Sequence, residues 1–342
     1  MQKFGILKNG EEAHLYSLKN QNGMEIKVSD FGATLVQVLI PASDGRMIDV
    51  VAGYDDVTGY EKGEASIGAT VGRVANRIGG ASFDIDGKTY LLTANDGKNT
   101  LHGGRDFYPK RLWKTVEADE SHVTFELFSP DGDQGFPGNF TVSVTYTLTE
   151  ENGVKIHYHG VSDQDTLVNM INHSYFNLAG HESGSVLSQE AWVDAKTYTR
   201  ADEESIPTGE FVSVEGTPMD FRTRKVIGQD IEADYEALIL GKGYDHNYVL
   251  NGSGFRKVAG MYAKETGIGM EVYTDLPGVH LYTANYLENE PGKGGVVYQI
   301  RDFLCFETQY FPDAVHKEQF EGPIVKANEA YDTTTEYRFY TE

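Results

Sequence analysis

The sequence predicts an all-β protein, a large β-sandwich of stacked antiparallel sheets. Three observations carry this. Apolar and polar residues alternate with a period of two in segment after segment, aromatic residues are abundant (21 Tyr and 17 Phe), and 38 glycines supply turns. Period-two alternation puts one set of side chains on each face of a pleated strand, and aromatic side chains suit such a half-buried surface. Stacked sheets accommodate many short strands of this kind better than a closed barrel or a propeller. No linker, low-complexity tract or fixed-period repeat divides the chain, so residues 1–342 read as a single domain.

The elements follow in order. ASFDIDGKTYLL sets Asp86-Gly87 between two β-prone runs, a hairpin signal. After the strand VTFELFSP, the run FTVSVTYTLTE from Phe140 alternates Val142, Val144, Tyr146 and Leu148 with Thr and Ser. A turn at ENG (151–153) leads into VKIHYHGVS, its hairpin partner. VNMINHSYFNL reads as a strand with His173 in its middle. YVLNGSG, GMEVYTDL, VHLYTANY and FLCFETQYF continue the pattern, and 225–243 (KVIGQDIEADYEALILGKG) is the best candidate for a short helix.

Composition excludes several classes. Lys+Arg 29 against Asp+Glu 52 gives a net charge of −23, which disfavours nucleic acid, bound largely through cationic contacts to phosphate, and disfavours an anionic membrane surface. A neutral small molecule is the ligand least affected by such a field. Cys305 is the lone cysteine, so neither a disulfide framework nor a Cys-based zinc site is expected. The N-terminus reaches Gly-Glu-Glu after FGILKN without the apolar run of a signal peptide, and no stretch is apolar enough to span a membrane. The expectation is a cytoplasmic protein. Gly87-Lys88-Thr89 ends like a phosphate-binding loop, but Ser82 replaces the required glycine and the context is strand–turn–strand.

Four segments carry polar residues that a plain β-protein does not need. GATVGRVANRIGG (68–80) offers Asn76 and Arg77 among glycines; NTLHGG (99–104) sets His102 before two glycines that permit a tight turn. GKGYDHNYVL (241–250) places Asp245 and His246 at the start of a strand. In FLCFETQYFPDAVH (303–316) alternation puts Phe303, Cys305 and Glu307 on one face, a costly position for a carboxylate without partners. Each segment also has a structural explanation, and His173 alone reads more simply as a core histidine. His157 and His159 share a strand face but lack a completing ligand motif, so they read as exposed. His102, His173, His246, His280 and His316 show no diagnostic metal spacing.

NTLHGG, NHSYFNLAG, GYDHNYVL and FETQYFPDAV, in this order, resemble the galactose mutarotase (aldose 1-epimerase) family; ANRI and LPGVHLYTAN fit the same pattern. The resemblance runs from about residue 30 to YDTTTEYRF near the C-terminus. It implies a β-sandwich with a sugar cleft on one sheet and no metal or organic cofactor. It further implies Glu307 as general base on the anomeric hydroxyl and His173 as general acid on the ring oxygen. His102 would hydrogen-bond the sugar, and Asn76, Arg77 and Asp245 would position it. Where the family often has glutamine after PGV this chain has His280, whose imidazole can still donate or accept one hydrogen bond. His181 stays structural.

The implied reaction interconverts the α and β anomers of free aldohexoses such as galactose and glucose. It needs one proton removed from O1 and one delivered to O5, and a positioned acid or base supplies about 10²–10⁴-fold each. A bell-shaped pH dependence is expected. The alternatives are a hexose-6-phosphate epimerase, which wants a cationic cluster, a non-catalytic carbohydrate-binding sandwich, which needs no acid–base pair, and a cupin-like metal enzyme.

Overall fold

In the computed structural model, which describes residues 1–342, the alternating segments pair into three main antiparallel sheets. The largest has nine strands. Lys114–Ala118, His122–Ser129, Phe140–Leu148 and Gly153–Ser162 lie side by side in chain order. The C-terminal strand Ala330–Thr341 joins them to Ile268–Thr274, Arg256–Ala263, Glu190–Val193 and the edge strand Lys225–Val226. Phe140, Val142, Val144, Tyr146 and Leu148 are buried, as their alternation predicts, and the intervening Thr and Ser are not. The Asp86-Gly87 turn joins Ser82–Ile85 to Lys88–Leu91, with φ of 51° and 78°. Positive φ at both central residues matches the right-handed twist of the flanking strands.

The N-terminal sheet is a five-stranded meander of Gln2–Ile6, Glu12–Lys19, Glu25–Ser29, Thr34–Pro41 and Met47–Asp49. The third sheet has the order Pro207–Ser213, Ala195–Ala201, Asp245–Leu250, Gly278–Tyr282 and Cys305–Gln309. One cluster of 57 buried apolar residues draws on all three sheets, through side chains such as Leu18, Val144 and Phe306. Each fully buried side chain of this size stabilises the fold by roughly 1.5–3 kcal/mol. The Tyr337 hydroxyl also donates to the Phe306 carbonyl at 2.8 Å, tying the nine-stranded sheet to the third.

That packing divides the third sheet into two unlike faces. Residues directly opposite in an antiparallel ladder point the same way. Asp245 faces Tyr282, Asn247 faces His280, Tyr282 faces Cys305 and His280 faces Glu307. These residues form one polar and aromatic row, while Tyr248, Leu281 and Phe306 turn to the apolar core. The polar face carries the cleft.

Three segments differ from the sequence reading. VNMINHSYFNL is not a continuous strand: Ile171–Asn172 forms a short ladder with Thr70–Val71, Asn169 and Phe176 make isolated bridges, and His173 follows in irregular backbone. Here the main chain divides its hydrogen bonds among several neighbours, with His173 N–H donating to Ala69 O and Asn177 N–H to Val50 O, both at 2.9 Å. Asn172 and Asn177 supply the rest, donating to the carbonyls of Gly68 and Asp302 at 2.8 Å. In 225–243 only Glu236–Gly241 is α-helical. Lys225–Val226 instead pairs with Glu190–Ala191, and the Lys225 ammonium donates to Asp230 at 3.0 Å, holding the next residues in a turn. A second short helix, Val57–Lys62, interrupts the strands, capped by Asp56, which accepts from Thr58 N–H at 2.8 Å. Finally, His157 has a carboxylate beside it after all, Asp332 at 3.0 Å, supplied by the C-terminal strand on the face away from the core.

Candidate active site

The centre of the cleft is made where the irregular segment meets the third sheet. Phe176 and Leu304 exchange both backbone hydrogen bonds at 2.9 Å, which lays His173 alongside the strand Cys305–Gln309. His173 Nε2 then sits 3.5 Å from Glu307 Oε1, with both side chains almost fully buried. The imidazole stacks on Tyr175 (centroids 5.0 Å apart, planes at 22°) and meets the ring edges of His102 and Tyr282 at 5.4 and 6.2 Å. This aromatic surround fixes the plane of the ring. Its Nδ1 faces the Cys305 thiol at 3.9 Å. Burial, with the nearby charges of Glu307 and Asp245, pushes that thiol well above its usual range.

The rim is built from two turns. His102 adopts φ of 54°, and Gly103 after it at 89° has its backbone so close to Gly72 that a Cβ would lie 2.3 Å from the Gly72 carbonyl oxygen. Only glycine fits there. His102 N–H donates to Asn76 O at 3.0 Å, and Asn76 N–H donates to His102 Nδ1 at 3.2 Å. Nδ1 is therefore an acceptor and Nε2 carries the proton. Burial, together with the neighbouring His173 and Arg77, holds His102 well below the usual imidazole range. It is a neutral hydrogen-bond donor.

Asn76, itself at φ 60°, accepts from Arg77 N–H at 2.9 Å through Oδ1, and its Nδ2 lies 3.3 Å from His280 Nδ1. His280 Nε2 is 2.7 Å from Asp245 Oδ1. Burial opposes ionisation of Asp245, but the hydrogen bond from His280, with the charge of Arg77, outweighs it and holds the carboxyl below its usual range. The Arg77 guanidinium is oriented by Asp96, whose carboxylate accepts from Nε at 2.8 Å.

Glu307, His173, Asn76, Arg77, His102, Asp245 and His280 thus line one cleft of about 180 Å³. Other candidates point elsewhere. His246 faces the core, accepting from Asp245 N–H and donating to Ala237 O at 3.1 Å. His316 pairs with Asp313 at 2.6 Å, and His181 contacts Tyr298 OH at 3.2 Å. Of the five histidines, His102, His173 and His280 line the cleft, while His246 and His316 lie outside it. A different trio, His173, Cys305 and Glu307, brings ligand atoms within 4.8 Å of one another. A metal held there would have to displace the proton of this buried thiol.

The sequence model of the family described as Aldose 1-epimerase matches residues 14–338. The chain belongs to the aldose 1-epimerase family. A Haemophilus influenzae aldose 1-epimerase is 40% identical over 336 residues, covering 97% of each chain. Human galactose mutarotase is 39% identical over 318 residues, covering 92% of this chain and 91% of its own. Among solved structures, a GalM/aldose epimerase homologue from C. elegans superposes with a TM-score of 0.90 at 30% identity, covering 96% of this chain and 99% of its own. The galactose 1-epimerase from Lactobacillus acidophilus gives 0.87 at 28%, covering 99% and 97%.

Several contributors to the site carry little or no signal in the sequence, among them Asp96, Tyr175 and Tyr282. Asp96 gave no signal, since Asn and Asp are ordinary turn residues. Tyr175 lies two residues from His173 in an apolar run, where nothing in the local pattern separates it from a core residue. Tyr282 had a usable signal: it alternates with His280 in the strand Gly278–Tyr282 and so shares its face.

Proposed function

We propose that the cleft binds a free aldohexose, galactose or glucose, and interconverts its anomers with Glu307 as base and His173 as acid. The observation that carries this is the pair itself: His173 Nε2 and Glu307 Oε1 stand 3.5 Å apart in a buried cleft. O1 and O5 of a pyranose share the carbon C1, so two groups this close can address both oxygens together. Glu307 takes the proton of the O1 hydroxyl while the His173 imidazolium delivers one to O5. The C1–O5 bond breaks, its electron pair goes to the protonated O5, and C1=O1 forms. Rotation about C1–C2 exposes the other face of the aldehyde. The O5 hydroxyl then closes on C1, returning its proton to His173 as Glu307 gives one to O1. Acid and base are both restored, and nothing is oxidised or reduced.

The remaining groups support sugar recognition. His102 presents a neutral N–H donor, Asp245 an ionised acceptor and Arg77 a cation. Tyr175, Tyr282 and Tyr286 supply apolar ring surface. The cleft suits a free sugar better than a 6-phosphate, because Arg77 is already paired with Asp96, while Glu64, Asp245 and Glu307 add negative charge. A non-catalytic sugar-binding role leaves the buried acid–base pair without a purpose. The reading carries a cytoplasmic enzyme, in keeping with a lone, unpaired and buried cysteine.

Polarimetric anomer exchange tests the proposal, with wild type and Glu307→Gln compared on galactose, glucose and glucose 6-phosphate. Exchange of the free sugars by wild type but not by the variant is expected. Preferential action on the phosphate would overturn the substrate assignment, and equal activity of the variant would overturn the role of Glu307.

A further inference from the structure

His280 lies on the cleft face, where the sequence reading gives it a direct sugar contact. Its hydrogen bonds point to a different task. Arg77 N–H donates to Asn76 Oδ1 at 2.9 Å, which fixes the orientation of that amide. The amide nitrogen therefore faces His280 Nδ1 at 3.3 Å and must donate to it. Nδ1 is then unprotonated, the ring proton is on Nε2, and Nε2–H donates to Asp245 Oδ1 at 2.7 Å. Both ring nitrogens are occupied within the protein, and an imidazole has no other strong hydrogen-bonding group.

From this geometry we infer that His280 is a positioning residue, a neutral Nε2–H imidazole that ties Asn76 and Asp245 into one hydrogen-bonded string and presents both to the sugar. The inference rests on the epimerase reading only for the identity of the ligand. The string joins the Gly-rich loop at Asn76 to two neighbouring strands, through partners 204 and 35 residues from His280. Asp245 keeps its second oxygen and Asn76 its second amide hydrogen for a ligand hydroxyl. Holding both side chains before binding removes ordering cost from the binding step.

The string also requires a neutral ring. Protonated His280 would set an Nδ1–H against the Asn76 amide hydrogens, donor against donor.

The test combines kinetics and NMR on the full chain. His280→Ala, His280→Gln, Asp245→Ala and the double variant His280→Ala/Asp245→Ala are assayed by polarimetry. A glutamine can accept from Asn76 and donate to Asp245, as the imidazole does. Expected are a KM raised about tenfold in His280→Ala with kcat changed less than about threefold, and near-wild-type KM in His280→Gln. In the Asp245→Ala background, removing His280 costs less than about twofold more, since coupled residues do not add. ¹⁵N shifts of sugar-free wild type should report a protonated Nε2 and an unprotonated Nδ1. Multiplying effects of the two alanine variants, an unchanged KM in His280→Ala, or a protonated Nδ1 at neutral pH each overturns the inference. If wild type shows no anomer exchange, the epimerase reading fails, and the NMR tautomer still judges the string separately.

Discussion

Replacing Glu307 by glutamine keeps the shape of a side chain that is 2% exposed while deleting its charge. Its carboxylate meets the His173 Nε2 at 3.5 Å, well beyond the roughly 2.7–2.9 Å of a strong charge-assisted hydrogen bond. Little native-state interaction is therefore lost, and an amide costs less to bury than a carboxylate. The folded state should be unchanged to within about 1 kcal/mol, or gain stability, as often happens when a functional group is held in a costly position. Catalysis should behave oppositely. With no base to take the O1 proton, kcat should fall about 10³-fold, equivalent to roughly 4 kcal/mol at the transition state. Stopped polarimetry from pure α-galactose gives kcat and KM, and urea denaturation gives stability on the same preparation. A loss below tenfold at saturating sugar, with the variant fully folded, would refute the assignment. A rise in KM alone would make Glu307 a binding residue only.

Three further outcomes follow from the same geometry. His246 is fully buried, which brings its imidazole down to about 4, against about 6.5 for an unperturbed ring. Between those values the unfolded chain binds a proton that the folded chain does not. Stability is therefore full above pH ~6.5 and falls as pH drops towards 4, by about 3 kcal/mol in all. His102 acts in the same direction, and flat urea stability from pH ~6.5 to 5 would contradict this. Asp96→Ala frees the Arg77 guanidinium and should raise KM about three- to tenfold with kcat little changed, read in the same anomer-exchange assay. Asn177→Ala removes an amide that donates to the carbonyls of Gly184 and Asp302 and accepts from Gln189 Nε2 at 2.6 Å. The stranded partners should cost about 3–5 kcal/mol in urea denaturation, and a cost below 1 would show that water replaces them.

Much of the architecture was legible because it is written in local periodicity. The alternation from Phe140 through Ser162 gave both strands and their buried faces, and Asp86-Gly87 gave its hairpin. In FETQ the same alternation placed Cys305 and Glu307 on one face, and the ladder to His280 agrees. Where local pattern misled, the backbone was satisfied by distant partners. VNMINHSYFNL looks like a strand because its apolar residues are buried, but its hydrogen bonds go to Ala69, Val50 and Leu304 rather than to one neighbour. The segment 225–243 failed for a related reason, since pairing with Glu190–Ala191 and the Lys225–Asp230 contact outweighed a weak helical pattern.

The sequence by itself determined the fold class, the family and the residue types available for acid–base chemistry, because these depend on order and period along the chain. The tertiary structure decided what those residues do to one another. Glu307 reaches His173 across 134 positions only because Phe176 and Leu304 bridge two unlike segments. His280, a candidate sugar contact when read alone, finds both its nitrogens taken by Asn76 and Asp245. Hydrogen-bond partners, tautomers and burial are properties of three-dimensional neighbours, and a linear pattern specifies those neighbours only through the completed fold.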